Sequence, residues 1–363
     1  MVERTRSRRR ADVVESPQVH IYDRSEDEDE AAAELAGVIS DLGAQAPLVV
    51  SSVHGHRLAQ PLQAVEIATP EDEANQESAA EIGSRARAMG ADMVVAIGGG
   101  RCLDIGKLAA ARAGLGVVAI PTQLSHDGIS SPVAVVPNAE GIPESVGAQA
   151  PRAVFVSIPT LVDAPSQSVA AGLGDLLANP FALRDWALAA ERGLETIDQR
   201  AWDMSAESYI LIKPHLDEDP RSAAGDPRFL RELADALILS GNAMICSGTS
   251  RPASGAEHEI SHAIDRLYAG RAMHGAQVAF GCIISVALYG EDTGAFRERL
   301  TRLGLPQHPR ELGLNADDMV RVILRAPDTR PGRFTILEDA NLDEGSAVEL
   351  VRRIWSDLEG HEG

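Results

Sequence analysis

The sequence predicts an α/β domain followed by an all-helical one, and three features carry that prediction. Up to residue 159, short β-rich runs alternate with helical stretches. Beyond residue 160, β-branched alternation gives way to long alanine- and leucine-rich stretches. Within the first part, an apolar run ends in Gly98-Gly99-Gly100 and a helix opens a few residues later. Strands separated by single helices pair in parallel, since each helix returns the chain across a face of the sheet. At 363 residues and 44% apolar, the chain is long enough for two packed cores.

Residues 1–16 read as a disordered basic arm, with Arg4, Arg6, Arg8, Arg9 and Arg10 and no apolar stretch behind them. Val19–Tyr22 and Pro47–Ser52 have the composition of strands, and Glu30–Leu42 between them that of an amphipathic helix. The acidic run Glu26–Glu30 suits the positive end of that helix's dipole. A helix over Ala79–Met89 leads into a strand at Met93–Ile97. A glycine-opened helix near Leu103–Ala113, a strand at Gly116–Ile120, and β-type runs at Val133–Val136 and Val154–Ser157 complete a domain of residues 17–159. Residues 160–363 carry helices at Val169–Leu177, Phe181–Thr196, Arg228–Ser247, Ala256–Leu267, Gly275–Leu288 and Ser346–Leu358.

The formal charge of −21 argues against nucleic acid as a partner, because a polyanion needs a basic face. It leaves room for one small anion in a local pocket. Only two of the 33 basic residues are lysines, Lys107 and Lys213, so a mechanism built on clustered amines is excluded. Lys107 stands one turn into the glycine-opened helix and is expected to face a bound phosphate. Cys102, Cys246 and Cys282 are few, odd in number and without CxxC spacing, which suits a reducing compartment. No run of about 18 apolar residues marks a membrane span, and with no apolar stretch behind the basic arm a secretory signal is not expected. A cytoplasmic location is expected.

Four segments hold the residues that could carry chemistry. In VVAIGGGRCLDIGKLAA, glycines at a strand-to-helix turn let the backbone approach a pyrophosphate, which free N–H groups at the helix start would meet. A purely structural turn would use the same glycines. In IPTQLSHDGISSPVAVV, the side chains of Thr122, Ser125, His126, Asp127, Ser130 and Ser131 crowd one connection at the carboxyl edge of the sheet, where open α/β sheets bind ligands. Turn chemistry explains Asp-Gly and Ser-Pro but not so dense a set of hydrogen-bonding groups. In AGLGDLLAN, Asp175 lies in an apolar helical setting where an unpaired carboxylate is costly, unless it caps a helix. SGAEHEISHAIDRLYAGRAMHG holds His258, His262 and His274, three of the ten histidines within 17 residues. His258 and His262 share a helix face. Imidazoles with a carboxylate suit zinc or another borderline divalent ion, with a position left for substrate.

The last segment also contains a literal HExxH, His258-Glu259-Ile260-Ser261-His262, the zinc-peptidase signature. Its metzincin extension needs glycine and histidine where the chain has Asp265 and Tyr268, and no glutamate lies at the spacing of the other class.

Taken together, GGGRCLDIGK, PTQLSHDGISSP, GLGD, SGAEHEISHAID and HGAQVAFG occur in the order and spacing of sn-glycerol-1-phosphate dehydrogenases, and residues 20 to 300 resemble that family. It belongs to the iron-dependent alcohol dehydrogenase and dehydroquinate synthase-like superfamily. The resemblance implies a Rossmann-like dinucleotide-binding domain, a helical domain for metal and substrate, and an active site in the cleft between them. It also implies reversible hydride transfer between NAD(P)H and dihydroxyacetone phosphate to give sn-glycerol 1-phosphate, a place in phospholipid biosynthesis, and a homo-oligomer.

By the same resemblance, NAD or NADP lies along Gly98, Gly99, Gly100, Arg101, Cys102, Leu103 and Asp104, and at Thr122, Ser125 and Ser131. Asp175, His258 and His274 match the metal ligands, with zinc expected first and nickel or iron as alternatives. Asp127, Asp175 and His262 match substrate-contacting positions. Asp127 and His262 are the expected catalytic residues, with His262, or a water ordered by it and Asp127, supplying a proton. Arg101, His126, Arg251 and Arg266 are candidate phosphate anchors. The resemblance assigns no counterpart to the arm through residue 16 or to the segment Asp203–Arg228. Within the superfamily the alternatives are a polyol, alcohol or sugar-phosphate dehydrogenase, while a cyclase would need more lysines. Outside it stand a non-catalytic dinucleotide-binding protein, which has no use for the Asp175-His258-His274 set, and the HExxH peptidase, which leaves the glycine-rich half unemployed.

Overall fold

The computed structural model describes residues 16–24, 27–64, 66–69, 74–217 and 223–358; nearly all of the basic arm and Glu26 of the acidic run lie outside them. Six parallel strands form one sheet in the order β1 (Gln18–Tyr22), β8 (Ala153–Ser157), β5 (Gly116–Pro121), β4 (Met93–Gly98), β2 (Pro47–Ser51) and β3 (Glu66–Ala68). Alternate side chains feed two cores. Val49, Val95, Ile97, Val118 and Phe155 pack with Leu35 and Ile39 of the Glu28–Asp41 helix on one face. Leu48, Val50, Val94, Ala96, Val117 and Ala119 meet the Gln76–Ala88 and Gly100–Ala113 helices on the other. Burial on both faces is why these strands read as continuous apolar runs.

The run at Val133–Val136 leaves this sheet. It forms β6 (Val133–Pro137), paired antiparallel with β7 (Pro143–Gly147) in a separate two-stranded ribbon. Ala134 and Val136 are buried while Val133 and Val135 are partly exposed, the period-two pattern of a ribbon with one wet face. Sequence reading omitted β7 and the three-residue β3, whose patterns are too short or too polar to stand out.

The helical part begins directly after β8, at Ile158–Val162. The expected helices run as Ser166–Leu176, Asn179–Glu191, Pro227–Ser247, Ala256–Tyr268, His274–Leu288 and Glu344–Ile354. The second stops short of Thr196 because Gly193 turns the chain with φ +70. The segment that had matched nothing contributes to a helix at Gln199–Ile212, capped by Asp198 accepting from the Ala201 N–H. Thr293–Arg302, Ala316–Arg325 and Ile336–Ala340 are further helices that the apolar pattern did not announce. No helix among the described residues is long and apolar enough to cross a membrane.

Candidate active site

Asp175 lies near the end of the Ser166–Leu176 helix, His258 in the first turn of Ala256–Tyr268, and His274 at the first position of His274–Leu288. Glycines let the first and third of these helices meet backbone to backbone. A Cβ on Gly174 would lie 2.6 Å from the Gly275 carbonyl oxygen, and one on Gly275 would lie 2.0 Å from that of Ala171. The approach brings Asp175 Oδ1 within 3.8 Å of His258 Nε2 and 3.9 Å of His274 Nε2. One ligand atom from each of the three residues lies within 4.8 Å of the others.

Glu257 Oε1 stands 3.0 Å from His258 Nδ1, which leaves Nε2 as the ligating nitrogen. Asp175 Oδ2 accepts the Asp127 N–H at 2.8 Å, whereas Oδ1 is buried with no hydrogen-bond partner. A donorless carboxylate oxygen facing two imidazole nitrogens fits a divalent cation. Burial holds His258 and His274 well below the usual imidazole range, in the neutral form that ligates. Burial also pushes the Asp175 carboxyl well above its usual range; a bound cation favours the ionised form.

His262 lies one turn further along its helix. Its Nε2 accepts from Arg330 Nη2 at 3.0 Å, and its Nδ1 is 3.9 Å from Asp265 Oδ2. Asp127 Oδ2 accepts from Ser240 Oγ at 3.0 Å; burial pushes this carboxyl up to about 6, against the pull of Ser240. Asp127, Ser131, His258, His262, His274 and Arg330 line one cavity. Arg330 is the residue that sequence reading missed, because it sits in a loop far along the chain with no motif around it.

The Gly100–Ala113 helix has Gly99 as its N-cap and no side-chain cap, so its first amides are available to an anion. A Cβ on Gly99 would lie 2.3 Å from Gln123 Nε2, and one on Gly100 would lie 2.3 Å from His126 Nε2. Glycine at both positions keeps this turn against the connection after β5. A cleft of about 460 Å³ opens beside it, lined by Gly100, Arg101, Asp104, Ser125, His126 and His274, and its glycine cradle and free helix end fit a dinucleotide phosphate. Thr122 donates its N–H to the Gly98 carbonyl, joining two strand ends. Cys102 and Leu103 turn their side chains into the core, where Cys102 Sγ lies 3.3 Å from the Ile97 carbonyl. Toward the cleft they offer backbone at most, and the Leu103 N–H is already donated to Gly99.

Lys107 does not face the cleft. It is fully buried, with Nζ donating to the Gly128 carbonyl at 2.7 Å and to that of Val133, and pairing with Asp104 Oδ1 at 2.9 Å. It ties the helix to the loop that carries Asp127. Asp104 Oδ2 in turn accepts from the Val135 N–H at 3.0 Å. Arg251, a candidate phosphate anchor, is buried against Glu195 and the Phe334 carbonyl and serves packing instead. The HExxH reading also fails on geometry. Glu259 accepts from Thr335 Oγ1 at 3.1 Å, burial pushes its carboxyl up to about 9, and His262 lies outside the clustered set of ligand atoms.

Residues 28–165 match the family model described as iron-containing alcohol dehydrogenase. A glycerol-1-phosphate dehydrogenase, NAD(P)+, of Cenarchaeum symbiosum is 37% identical over 276 residues, 76% of each chain. One from Methanocorpusculum labreanum is 32% identical over 337 residues, covering 90% of this chain and 92% of the other. Among solved structures, a probable glycerol dehydrogenase from Sinorhizobium meliloti superposes with a TM-score of 0.76 at 20% identity, covering 95% of this chain and 98% of the other. A glycerol dehydrogenase from Schizosaccharomyces pombe gives 0.72 at 17%, covering 94% and 89%. The structural likenesses show the shared two-part fold, and the sequence identities reach further: the chain belongs to the glycerol-1-phosphate dehydrogenase family.

Proposed function

We propose that this chain transfers hydride reversibly between NAD(P)H and dihydroxyacetone phosphate, giving sn-glycerol 1-phosphate. The dinucleotide is held by the 17–159 domain and the metal by the 160–363 domain. The observation that carries the reading is the donorless Asp175 Oδ1, aimed at two neutral imidazole nitrogens next to a glycine-opened helix. Asp175, His258 and His274 would hold a divalent cation, zinc by preference for this donor set. Bound there, the cation would polarise the substrate carbonyl and the dinucleotide would supply the hydride.

The chain's own residues do the rest. Glu257 orients His258 through Nδ1. Asp127, fixed by Ser240 and through its N–H by Asp175, contacts the substrate with a carboxyl poised near neutral pH. His262 Nε2 is engaged by Arg330, so the proton for the product oxygen comes through a water ordered by His262 and Asp127. Gly98, Gly99, Gly100, Arg101, Asp104, Thr122, Ser125 and Ser131 frame the cofactor. A cytoplasmic homo-oligomer serving phospholipid synthesis completes the proposal.

The test is NAD(P)H oxidation by the purified, metal-loaded protein with dihydroxyacetone phosphate, dihydroxyacetone and glyceraldehyde 3-phosphate as separate substrates. Turnover of dihydroxyacetone at equal or better efficiency than its phosphate would overturn the assignment.

A further inference from the structure

Next to the cavity at the metal ligands lies a second one of about 290 Å³, walled by Ser145, His262, Arg266, Thr329 and Arg330. His262 and Arg330 line both. Arg330 donates Nη1 to Ser250 Oγ at 2.7 Å and Nη2 to His262 Nε2 at 3.0 Å, two neutral acceptors. Arg266 donates Nη1 and Nη2 to the backbone carbonyls of Asp328 and Thr329 at 2.9 and 3.1 Å. Among the described residues, no carboxylate pairs with either guanidinium. Glu144 borders the cavity, but its carboxylate is held by the side-chain amides of Gln76 and Asn138.

Two guanidiniums with no directly paired carboxylate, against the one carboxylate of Glu144 at the cavity's border, leave a local positive excess in a chain whose formal charge is −21. A guanidinium is also the side chain whose fork fits a phosphate with two parallel hydrogen bonds. Arg266 grips the two residues just before Arg330 and so sets where that fork stands. We infer that Arg330, positioned by Arg266, anchors the substrate's phosphate in this second cavity and makes the site selective for a phosphorylated triose over its free ketone. The inference rests on the proposed function for the identity of the substrate, and on the cavity and its unpaired cations for the site. In this arrangement the phosphate lies past His262 and the carbonyl end reaches back toward Asp175.

The test compares wild type, Arg330→Gln and Arg330→Lys as metal-loaded holoenzyme. For Arg330→Gln, kcat/KM for dihydroxyacetone phosphate falls roughly 10²-fold, while dihydroxyacetone, which feels only the freed His262 Nε2, loses no more than about tenfold. Calorimetric titration with inorganic phosphate gives binding in wild type and none in Arg330→Gln. Arg330→Lys keeps the cation without the fork and falls between them, and it decides the matter if the glutamine variant does not fold. Equal losses on both substrates, or phosphate binding unchanged in both variants, overturn the inference. If wild type does not reduce dihydroxyacetone phosphate, the functional proposal fails by itself. The titration then still decides the anion site, which stands if Arg330→Gln abolishes binding and falls if wild type binds no phosphate.

Discussion

Lys107→Met separates two accounts of the glycine-opened helix, one in which the lysine meets a cofactor phosphate and one in which it is a buried clamp. In the structure its ammonium serves Asp104, Gly128 and Val133 at once, with no solvent exposure. Methionine fills a similar volume but leaves the Asp104 carboxylate buried without its cation and two carbonyls without a donor. Removing one partner of a buried pair costs about 3–5 kcal/mol, and the remaining Val135 N–H to Asp104 bond points to the middle of that range. With an unfolding entropy of about 2.1 cal/mol/K per residue over 363 residues, about 4 kcal/mol lowers Tm by roughly 5 °C. Differential scanning calorimetry reads this directly. Asp104→Asn in the same background supplies the control: the double variant loses less than the two singles together by about 1–3 kcal/mol, because they share one interaction. A Tm within about 1 °C of wild type, combined with weakened NAD(P)H binding, would refute the clamp and return Lys107 to the cofactor.

Replacing His258 or His274 with alanine removes metal retention along with activity, checked by elemental analysis after desalting; a variant active after chelation contradicts the ligand role. Gly275→Ala drives a methyl group into the Ala171 carbonyl at 2.0 Å, so it destabilises by about 3 kcal/mol and weakens metal binding by displacing His274, read from urea midpoints and a metal titration. Glu259→Gln leaves activity within a few-fold and changes the pH dependence of stability. Burial pushes the Glu259 carboxyl up to about 9 in the folded chain, against 4.5 for an ordinary solvated glutamate, so the folded state holds the extra proton between those values. Its contribution is complete below about pH 4.5 and is lost as pH rises toward 9. The glutamine variant therefore gains on wild type between pH 5.5 and 8.5 in denaturation midpoint, and a gap that stays constant across that range contradicts a protonated Glu259.

The central strands and the glycine turn are legible because their signals are local. A strand covered on both faces must be apolar at every position, and a backbone brought against another must dispense with Cβ. The candidate donor residues were legible as a set only through the family resemblance; by themselves the segments left Asp175 open to a helix-capping role and the histidines open to solvation, although a carboxylate in an apolar helix is costly without a partner. Helical periodicity puts His258 and His262 on one face as equals. Only the packing of the Ser166–Leu176 helix against His274–Leu288, through Gly174 and Gly275, decides that His258 meets Asp175 and that His262 meets Arg330.

Position in a helix likewise says that Lys107 lies one turn from the glycines, but not what covers that face. The β6–β7 ribbon and the Gly128 carbonyl cover it and turn an expected ligand group into a clamp. Arg330 shows the limit most clearly. A single arginine in a loop has no period, spacing or composition to mark it, and its unpaired charge acquires meaning only when distant segments close around a common cavity. By itself the sequence determined which chemical groups the protein owns and which backbone turns it can make, since both depend on neighbours in the chain. The tertiary structure decided which of those groups are neutralised and which are left facing open space, because burial and charge pairing depend on neighbours in space.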